Sequence, residues 1–410
     1  MSGREVGVCT YTVSMAALPL SRRLPWEHPK NRLTLAVEER TARGVETIDL
    51  TETNPTRVGL AVPVEELEEL LRRGAAAAYE PHPRGIPEAR EALAAHLSTP
   101  GDPVSPDDLV LTASTSESYS FLFKLLADPG DEVLTAAPSY PLLDSLAALD
   151  SLVLRHVYLE PGRRFALDPE RVELALSDGT RLLALVHPGN PTGAFLSGSE
   201  QAAVLGLCAS HGIPLISDEV FFDFGLADDP RRAGPAAAAG EALAFSLGGL
   251  SKSAGLPGWK LGWIRVGGSA DLRRRALAGL EMVADSYLSV STPVQRALPG
   301  VLALAPRIRG EILDRVRGNL ASLRAALAGV PAAELFEPSG GWAAPIRVSL
   351  PVSDEELALG LLDRFGVLVQ PGYFFDFLTD DFLVLSLLPK PDRFAAGVAR
   401  LAGYLSERSP

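Results

Sequence analysis

From about residue 108 onward, the chain alternates short apolar runs with segments whose apolar positions recur at helical spacing. Most of these runs are continuously apolar rather than alternating with polar residues, which is typical of strands covered by helices on both faces. The runs occupy residues 108–113, 132–137, 153–158, 182–186, 213–217, 242–247 and 261–266. Because strands and helices alternate along the chain, the pattern predicts an α/β domain of three layers with a mainly parallel sheet.

The pattern changes after about residue 300, where longer helical segments predominate. Helices are predicted over residues 306–327, from residue 354 and over residues 391–407, and strands at residues 367–370 and 382–388. This mixture predicts a smaller α+β domain. We therefore expect an N-terminal arm and connecting segment at residues 1–50, a large domain at residues 51–300 and a small C-terminal domain at residues 301–410. A stretch rich in Ala, Pro and Gly at residues 234–240 is predicted to be a surface loop.

Composition narrows the classes of function. The 410 residues, of which 47% are hydrophobic and 22% charged, are ordinary for a soluble globular protein with more than one domain. The net charge of −13 disfavours binding to nucleic acid or to anionic membranes. No apolar run is long enough for a transmembrane helix, and the N-terminal residues do not form a signal peptide. Cys9 and Cys208 form neither a metal-ligand spacing nor a disulfide framework, so we expect no metal site and a reducing, cytoplasmic location.

Three polar side chains follow predicted strands of the large domain. Asn190, in the sequence HPGNPTG, and Asp218, in ISDEVF, each follow an apolar run. Lys252 lies in SLGGLSKSAGLPGWKLGW, after the next apolar run. Because ligands of such sheets bind at the carboxyl ends of the strands, we expect these side chains to lie together. An amide, a carboxylate and a lysine are the groups needed to hold and use pyridoxal phosphate (PLP).

These motifs resemble those of the class I/II aminotransferases, the fold-type I family of PLP enzymes, over roughly residues 45–405. The resemblance implies the PLP-dependent transferase fold of type I, with PLP as the cofactor. Lys252 matches the lysine that forms a Schiff base with the cofactor aldehyde and then moves a proton between the substrate α-carbon and the cofactor C4′. Asp218 matches the carboxylate that keeps the pyridine nitrogen protonated, and Asn190 matches the amide that hydrogen-bonds to the 3′ oxygen.

The same resemblance implies a phosphate site at the start of the helix that follows residue 113. Ser114, Thr115 and Ser116 match the family turn that binds the phosphate, because a helix N-terminus suits an anion. Ser114 followed by Glu117 is also a capping box, and one helix start can serve both purposes. Lys260 stands where the family usually has a phosphate-binding arginine, whose bidentate geometry a lysine lacks.

Two tyrosines match aromatic positions of the family. Tyr140, in PSYP, matches the residue whose ring stacks on the cofactor, with an ordinary core tyrosine as the alternative. Tyr79, in YEPHPRGIPE, matches a tyrosine that reaches the phosphate in the partner subunit. The resemblance therefore implies a homodimer whose active sites are shared between the subunits.

The chain departs from the family pattern at two positions. Phe221 replaces a tyrosine that donates to the 3′ oxygen of the cofactor. Val384 replaces the arginine that pairs with the substrate α-carboxylate. Either another cation or backbone groups bind the carboxylate, or the substrate has none there. The candidates for contact with the substrate are Arg57, Arg84, Arg347, Lys390 and Asn54.

The resemblance predicts a PLP-dependent aminotransferase, which moves an amino group from an amino acid donor to an oxo acid or other carbonyl acceptor. Another PLP reaction at the α-carbon, such as β-elimination, uses the same Lys, Asp and Asn side chains and is the alternative. A remote alternative is a non-catalytic PLP-binding regulatory protein. Such regulators carry a DNA-binding domain, and this acidic chain has no spare segment for one.

Overall fold

The computed structural model describes residues 20–25, 29–76 and 78–408. Residues 1–19 and 26–28 of the predicted arm lie outside these ranges, as does Cys9. The α-helices are α1 (Arg32–Ala42), α2 (Val64–Gly74), α3 (Pro87–Leu97), α4 (Thr115–Leu126), α5 (Leu142–Leu149), α6 (Pro169–Ala175), α7 (Gly198–His211), α8 (Leu250–Ser253), α9 (Ala270–Asp285), α10 (Thr292–Leu327), α11 (Asp354–Phe365) and α12 (Pro391–Ser406). The strands are β1 (Ile48–Asp49), β2 (Leu109–Thr112), β3 (Glu132–Ala137), β4 (Val153–Tyr158), β5 (Thr180–Val186), β6 (Leu215–Asp218), β7 (Ala244–Gly249), β8 (Gly262–Gly267), β9 (Ala333–Leu335), β10 (Ala343–Val348), β11 (Val367–Leu368), β12 (Gln370–Pro371) and β13 (Phe382–Ser386).

The large sheet has seven strands in the order β2-β8-β7-β6-β5-β3-β4. Strand β8 runs antiparallel to both of its neighbours, and every other neighbouring pair is parallel. Helices α4, α5 and α9 pack on one face of the sheet, and α3, α6, α7 and the first half of α10 pack on the other. Each apolar run of the sequence forms one of these strands, so the predicted three-layer α/β architecture is confirmed.

A second core surrounds a smaller antiparallel sheet with the order β12-β13-β10-β9. The second half of α10, α11 and α12 pack around this sheet, and the same core includes a separate two-stranded sheet in which β1 pairs in parallel with β11. This is the predicted smaller α+β part, although the division at residues 50 and 300 stays a prediction. None of the helices in the described parts of the chain combines the length and the apolar character that crossing a membrane requires.

Helix α10 begins earlier than the sequence suggested. We expected a helix from residue 306, because proline favours the first helical turn, but Pro299 and Pro306 both lie inside α10. Val301 packs in the core beside the large sheet, and Ile312 packs in the core of the small sheet. Burial on both sides of each proline offsets the backbone hydrogen bond that the proline removes. The helix therefore connects the two cores, and the expected domain boundary falls within it.

The segment at residues 234–240 is a loop with one short 3-10 turn, as predicted, but only part of it is at the surface, because Gly234, Ala238 and Gly240 are exposed and the middle is not. Ala236 and Ala237 are buried, and the Ala237 N–H donates to Ser246 Oγ on β7 over 3.0 Å. A Cβ at Gly267 would collide with the backbone of Ala237. Small side chains on this segment and glycine on β8 therefore allow the backbone to pack directly against the sheet.

Candidate active site

Loops from six strands meet at one edge of the large sheet. Strands β2, β3, β5, β6 and β7 end at this edge, and β8, which is antiparallel, begins there. This topology explains why residues spread over about a third of the chain come together. The loops carry, in chain order, Ser114, Tyr140, Asn190, Asp218, Lys252 and Lys260.

A cavity of about 310 Å³ opens at this edge. Its volume is that of a small-molecule site. The predicted site residues that line it are Ser114, Thr115, Ser116, Tyr140, Asn190, Asp218, Phe221, Lys252 and Lys260.

Lys252 extends from the short helix α8, directly after β7. Burial lowers the pKa of its amine from 10.5 to about 8, while the nearby Asp218 charge acts in the opposite direction. Its Nζ atom lies over the rings of Trp342 and Phe221, at 4.9 and 5.4 Å from their centroids. With a pKa of about 8, roughly a tenth of the amine is neutral at pH 7, a far larger share than for an ordinary lysine, and the neutral form is the one that acts as a nucleophile or proton acceptor.

Asp218 is the last residue of β6 and is only 5% exposed. The Val220 N–H donates to its Oδ1 atom over 3.2 Å. Burial raises the pKa of the carboxyl from 3.8 to about 6, while hydrogen bonds from Val220 and the buried Tyr119 hydroxyl and the charge of Lys252 act to lower it. A carboxylate buried in this way is stabilised by any additional cation placed against it.

The first turn of α4 forms one wall of the cavity. Ser114 caps the helix, because its Oγ accepts the Glu117 N–H over 3.2 Å. The Glu117 carboxylate accepts the N–H of Ala113 rather than that of Ser114, so the reciprocal half of the capping box is shifted by one residue. Gly262 permits the close approach of β8, since a Cβ there would lie 3.0 Å from the Ser114 backbone. The helix start, its hydroxyls and Lys260 together suit an anion.

Asn54 and Tyr79 lie outside the cavity. The Asn54 side chain accepts the N–H and the hydroxyl of Thr56, at 3.0 and 2.8 Å, and so stabilises its own turn. Tyr79 is 67% exposed and lines a separate surface cleft that also includes Ser289.

The arginines proposed for the substrate carboxylate also lie elsewhere. Arg57, Arg84 and Arg347 each pair with a carboxylate outside the cavity. Their partners are Glu52, Glu281 and Asp381. Lys390 lies against Gly59, and it is not among the cavity-lining residues either.

Val384 is 1% exposed and lies in the middle of β13. It is paired with Pro345 of β10, two positions from the pair formed by Ala343 and Ser386. Side chains two residues apart on a strand share a face, so Val384 faces the same side of the small sheet as the cavity-lining Ala343. An arginine at this position would face the cavity, and valine leaves that side apolar.

Four residues near the reacting groups were not singled out from the sequence. Thr53, Ser251 and Trp342 line the cavity, and Tyr119 supports Asp218 from beneath. Ser251 could have been found, because it immediately precedes Lys252 in the motif. The others could not, because nothing in their local sequence indicates contact with Asp218 or Lys252.

The polar groups that line the cavity fit PLP. A buried carboxylate suits the protonated ring nitrogen, a capped helix start with a lysine suits the phosphate, and an amine of lowered pKa suits the aldehyde. Tyr140, whose pKa burial raises, and Asn190 supply the remaining polar wall.

The sequence pattern of the family described as aminotransferase class I and II matches residues 47–391. An alanine aminotransferase from Mycobacterium tuberculosis is 28% identical over 374 residues, which cover 89% of this chain and 86% of that protein. A glutamate-pyruvate aminotransferase from Escherichia coli is 25% identical and covers 86% of this chain and 89% of its own length. The fold is similar to that of an alanine aminotransferase from Pyrococcus furiosus, with a TM-score of 0.86, 23% identity and coverage of 95% and 100% of the two chains.

Because the family pattern extends over most of the chain and the cavity holds the groups that its cofactor needs, the protein belongs to the class I and II aminotransferases and is a PLP-dependent transaminase.

Proposed function

We propose that Lys252 is the residue that holds PLP and moves the proton during amino-group transfer. The observation that carries this proposal is the single cavity shared by Lys252, Asp218, Asn190 and the first turn of α4. PLP supplies an electron sink for the charge that develops at the substrate α-carbon. The Nζ atom of Lys252, with its pKa lowered to about 8 by burial, accepts the α-proton and delivers it to C4′.

The surrounding residues orient the cofactor. Asp218 accepts a hydrogen bond from the ring nitrogen and keeps it protonated. Asn190 would donate to the 3′ oxygen, and the Tyr140 ring would pack against the pyridine ring, since both side chains line the cavity. The phosphate would be held by Ser114, Thr115, Ser116 and Lys260. All four residues line the cavity, and the first three form the start of α4, which supports this assignment.

We propose an amino acid donor and an oxo acid or other carbonyl acceptor. Relatives named for alanine and for glutamate and pyruvate support this class of substrate. Lys252 and Lys260 are the cations among the described cavity-lining residues, and both are assigned to the cofactor. Within one subunit, the substrate carboxylate is therefore held by neutral donors such as the Asn190 amide rather than by a guanidinium from β13.

A comparison of free amino acids with their methyl esters tests whether the substrate carboxylate is recognised, and how strongly. Free acids should react with high KM values, because neutral donors bind a carboxylate less strongly than a bidentate arginine does. Esters should lose further efficiency, since they lack the charge. If esters or simple amines react as well as the free acids, the donor needs no carboxylate and the proposed substrate class is wrong.

We propose a homodimer with shared active sites. Support comes from the exposed aromatic side chain of Tyr79 and from the exposed Met282 and Tyr287, because large apolar side chains at the surface favour an interface. In this arrangement Tyr79 reaches the phosphate of the partner subunit.

The cytoplasmic location stays a prediction. It rests on the scarcity of cysteine, and Cys208 is a buried free thiol, as a reducing compartment allows.

Borohydride trapping tests the role of Lys252. Reduction of the PLP-loaded protein should leave the cofactor on the peptide that contains Lys252, and the Lys252→Ala variant should form no adduct. Lys260→Ala is the matched control, because it removes the other cavity lysine but not the proposed attachment point. Cofactor found on another lysine would overturn the assignment. Conversion of the cofactor to its pyridoxamine form by an amino donor would then indicate transfer, whereas pyruvate and ammonia release would indicate elimination.

A further inference from the structure

Two buried aromatic rings enclose the end of the Lys252 side chain. Its Nζ atom lies 4.9 Å from the ring centroid of Trp342 and 5.4 Å from that of Phe221. The two rings meet edge to face, with their centroids 5.2 Å apart and their planes at 72°. Trp342 is 2% exposed and Phe221 is 8% exposed, so close packing fixes both rings.

The rings come from different sheets. Phe221 follows β6 of the large sheet, and Trp342 immediately precedes β10 of the small sheet. Gly341 has φ +80°, a conformation that side chains rarely adopt, and it sets the direction in which Trp342 enters the core. The Leu387 N–H donates to the Trp342 carbonyl over 2.7 Å and fixes its backbone.

The electrostatics of this arrangement favour the charged amine. An aromatic face attracts an ammonium group, and the attraction grows when water is excluded. The titratable side chains that share the cavity with Lys252 are Asp218, Tyr140 and Lys260, and Asp218 is the one whose charge changes the pKa of the amine. Burial lowers that pKa, and the Asp218 charge raises it. The aromatic faces act in the same direction as Asp218.

We propose that Phe221 and Trp342 form an aromatic seat that positions the Lys252 amine whenever it is not joined to the cofactor. Trp342 is thus a positioning residue, contributed by the small sheet. The proposal rests on the proposed role of Lys252. The apolar ring of Phe221 contacts the Lys252 amine. A tyrosine at this position would instead donate a hydrogen bond to the 3′ oxygen of the cofactor.

The test measures the pKa of the Lys252 amine by a method that resolves individual lysines. The full-length protein is loaded with pyridoxamine phosphate, which leaves Lys252 free, and is labelled with acetic anhydride between about pH 6 and pH 10. Mass spectrometry gives the extent of acetylation at Lys252. Trp342→Leu should lower the pKa by about 0.5 unit or more, because the ammonium loses an aromatic face, and Trp342→Phe should restore a value near that of the wild type.

Phe224→Leu is the matched control. The Phe224 ring packs against Trp342 with centroids 5.0 Å apart, but it is not one of the rings over Nζ. Phe221→Leu provides a second test should Trp342→Leu fail to fold. An unchanged pKa in Trp342→Leu, or an equal shift in Phe224→Leu, would overturn the proposal. Borohydride trapping tests the attachment point separately, so the acetylation result is readable even if PLP binds another lysine.

Discussion

Burial shifts the pKa values of two neighbouring side chains in opposite directions at the centre of the site. It raises the pKa of Asp218 to about 6 and lowers that of Lys252 to about 8. Each group's charge opposes the shift of the other, but burial is the larger effect for both. The cofactor-free site therefore holds a carboxylate that lacks sufficient positive charge, and in the proposed binding mode the protonated ring nitrogen of PLP would supply it.

The first prediction concerns the stability of the cofactor-free protein. The pKa of Asp218 is about 6 when folded and about 3.9 when unfolded, so folding takes up a proton between these values. The contribution of Asp218 to the free energy of unfolding is full below about pH 4 and is lost as the pH rises through about 6. Asp218→Asn cannot ionise, so it should gain up to about 3 kcal/mol relative to the wild type between pH 4 and pH 8.

Urea unfolding of both proteins at low and high pH measures this difference. Addition of PLP should reverse the order of stability, because the neutral amide does not hold the protonated ring nitrogen. A difference between the variants that stays constant with pH would contradict the prediction.

The second prediction concerns Phe221. A tyrosine here would donate to the 3′ oxygen and stabilise its deprotonated form, so Phe221→Tyr should lower the pKa seen in the visible absorption of the cofactor held on Lys252. A spectrophotometric pH titration measures the shift. Phe224→Tyr is the control, since Phe224 neighbours Phe221 but does not line the cavity. No shift, or a rise, in Phe221→Tyr would show that this side chain does not face the 3′ oxygen.

At the scale of elements, α4 and α7 begin in similar ways but face different surroundings. In both, an N-cap serine accepts an N–H three residues later over 3.2 Å, Ser114 from Glu117 and Ser197 from Glu200. Ser114 lines the cavity, whereas Ser197 does not. A comparison of Ser114 with Ser197 therefore distinguishes an effect on helix capping from an effect on anion binding.

The third prediction uses this pair. Ser114→Ala and Ser197→Ala should each lower the free energy of unfolding by about 1 kcal/mol, because each helix loses its cap. Only Ser114→Ala should also raise the Kd for PLP, since the variant loses the proposed hydroxyl contact with the phosphate. Denaturant unfolding and equilibrium dialysis with PLP measure the two effects. An equal increase of Kd in both variants would mean that Ser114 acts through helix stability alone.

At the scale of the whole molecule, the fourth prediction concerns shared active sites. Lys252→Ala and Tyr79→Ala homodimers should each have strongly reduced activity. A mixture of the two should form hybrids in which one site has both residues, so activity should recover to roughly a quarter of the wild-type value. Mixing after partial denaturation and refolding, followed by a transamination assay, measures the recovery. If Tyr79 instead serves its own subunit, each site of the hybrid lacks one residue and no activity returns.

The sequence by itself determined the large sheet and most of the polar residues that line the cavity. Most of its strands are continuous apolar runs, which predict burial on both faces, although the edge strand β4 is largely exposed. Asn190, Asp218 and Lys252 each follow one of these runs within a few residues. Their convergence then follows from the parallel topology, which brings strand ends to one edge.

Only the tertiary structure decided the rest. Trp342 and Thr53 reach the cavity from distant parts of the chain, and their local sequence has no periodicity that reports contact with Lys252. Asn54 resembled a site residue, but its side chain satisfies its own turn, which a short polar side chain does at low cost. Helix α10 continues through two prolines because both of its halves are buried, and burial is a property of the folded chain rather than of the local sequence.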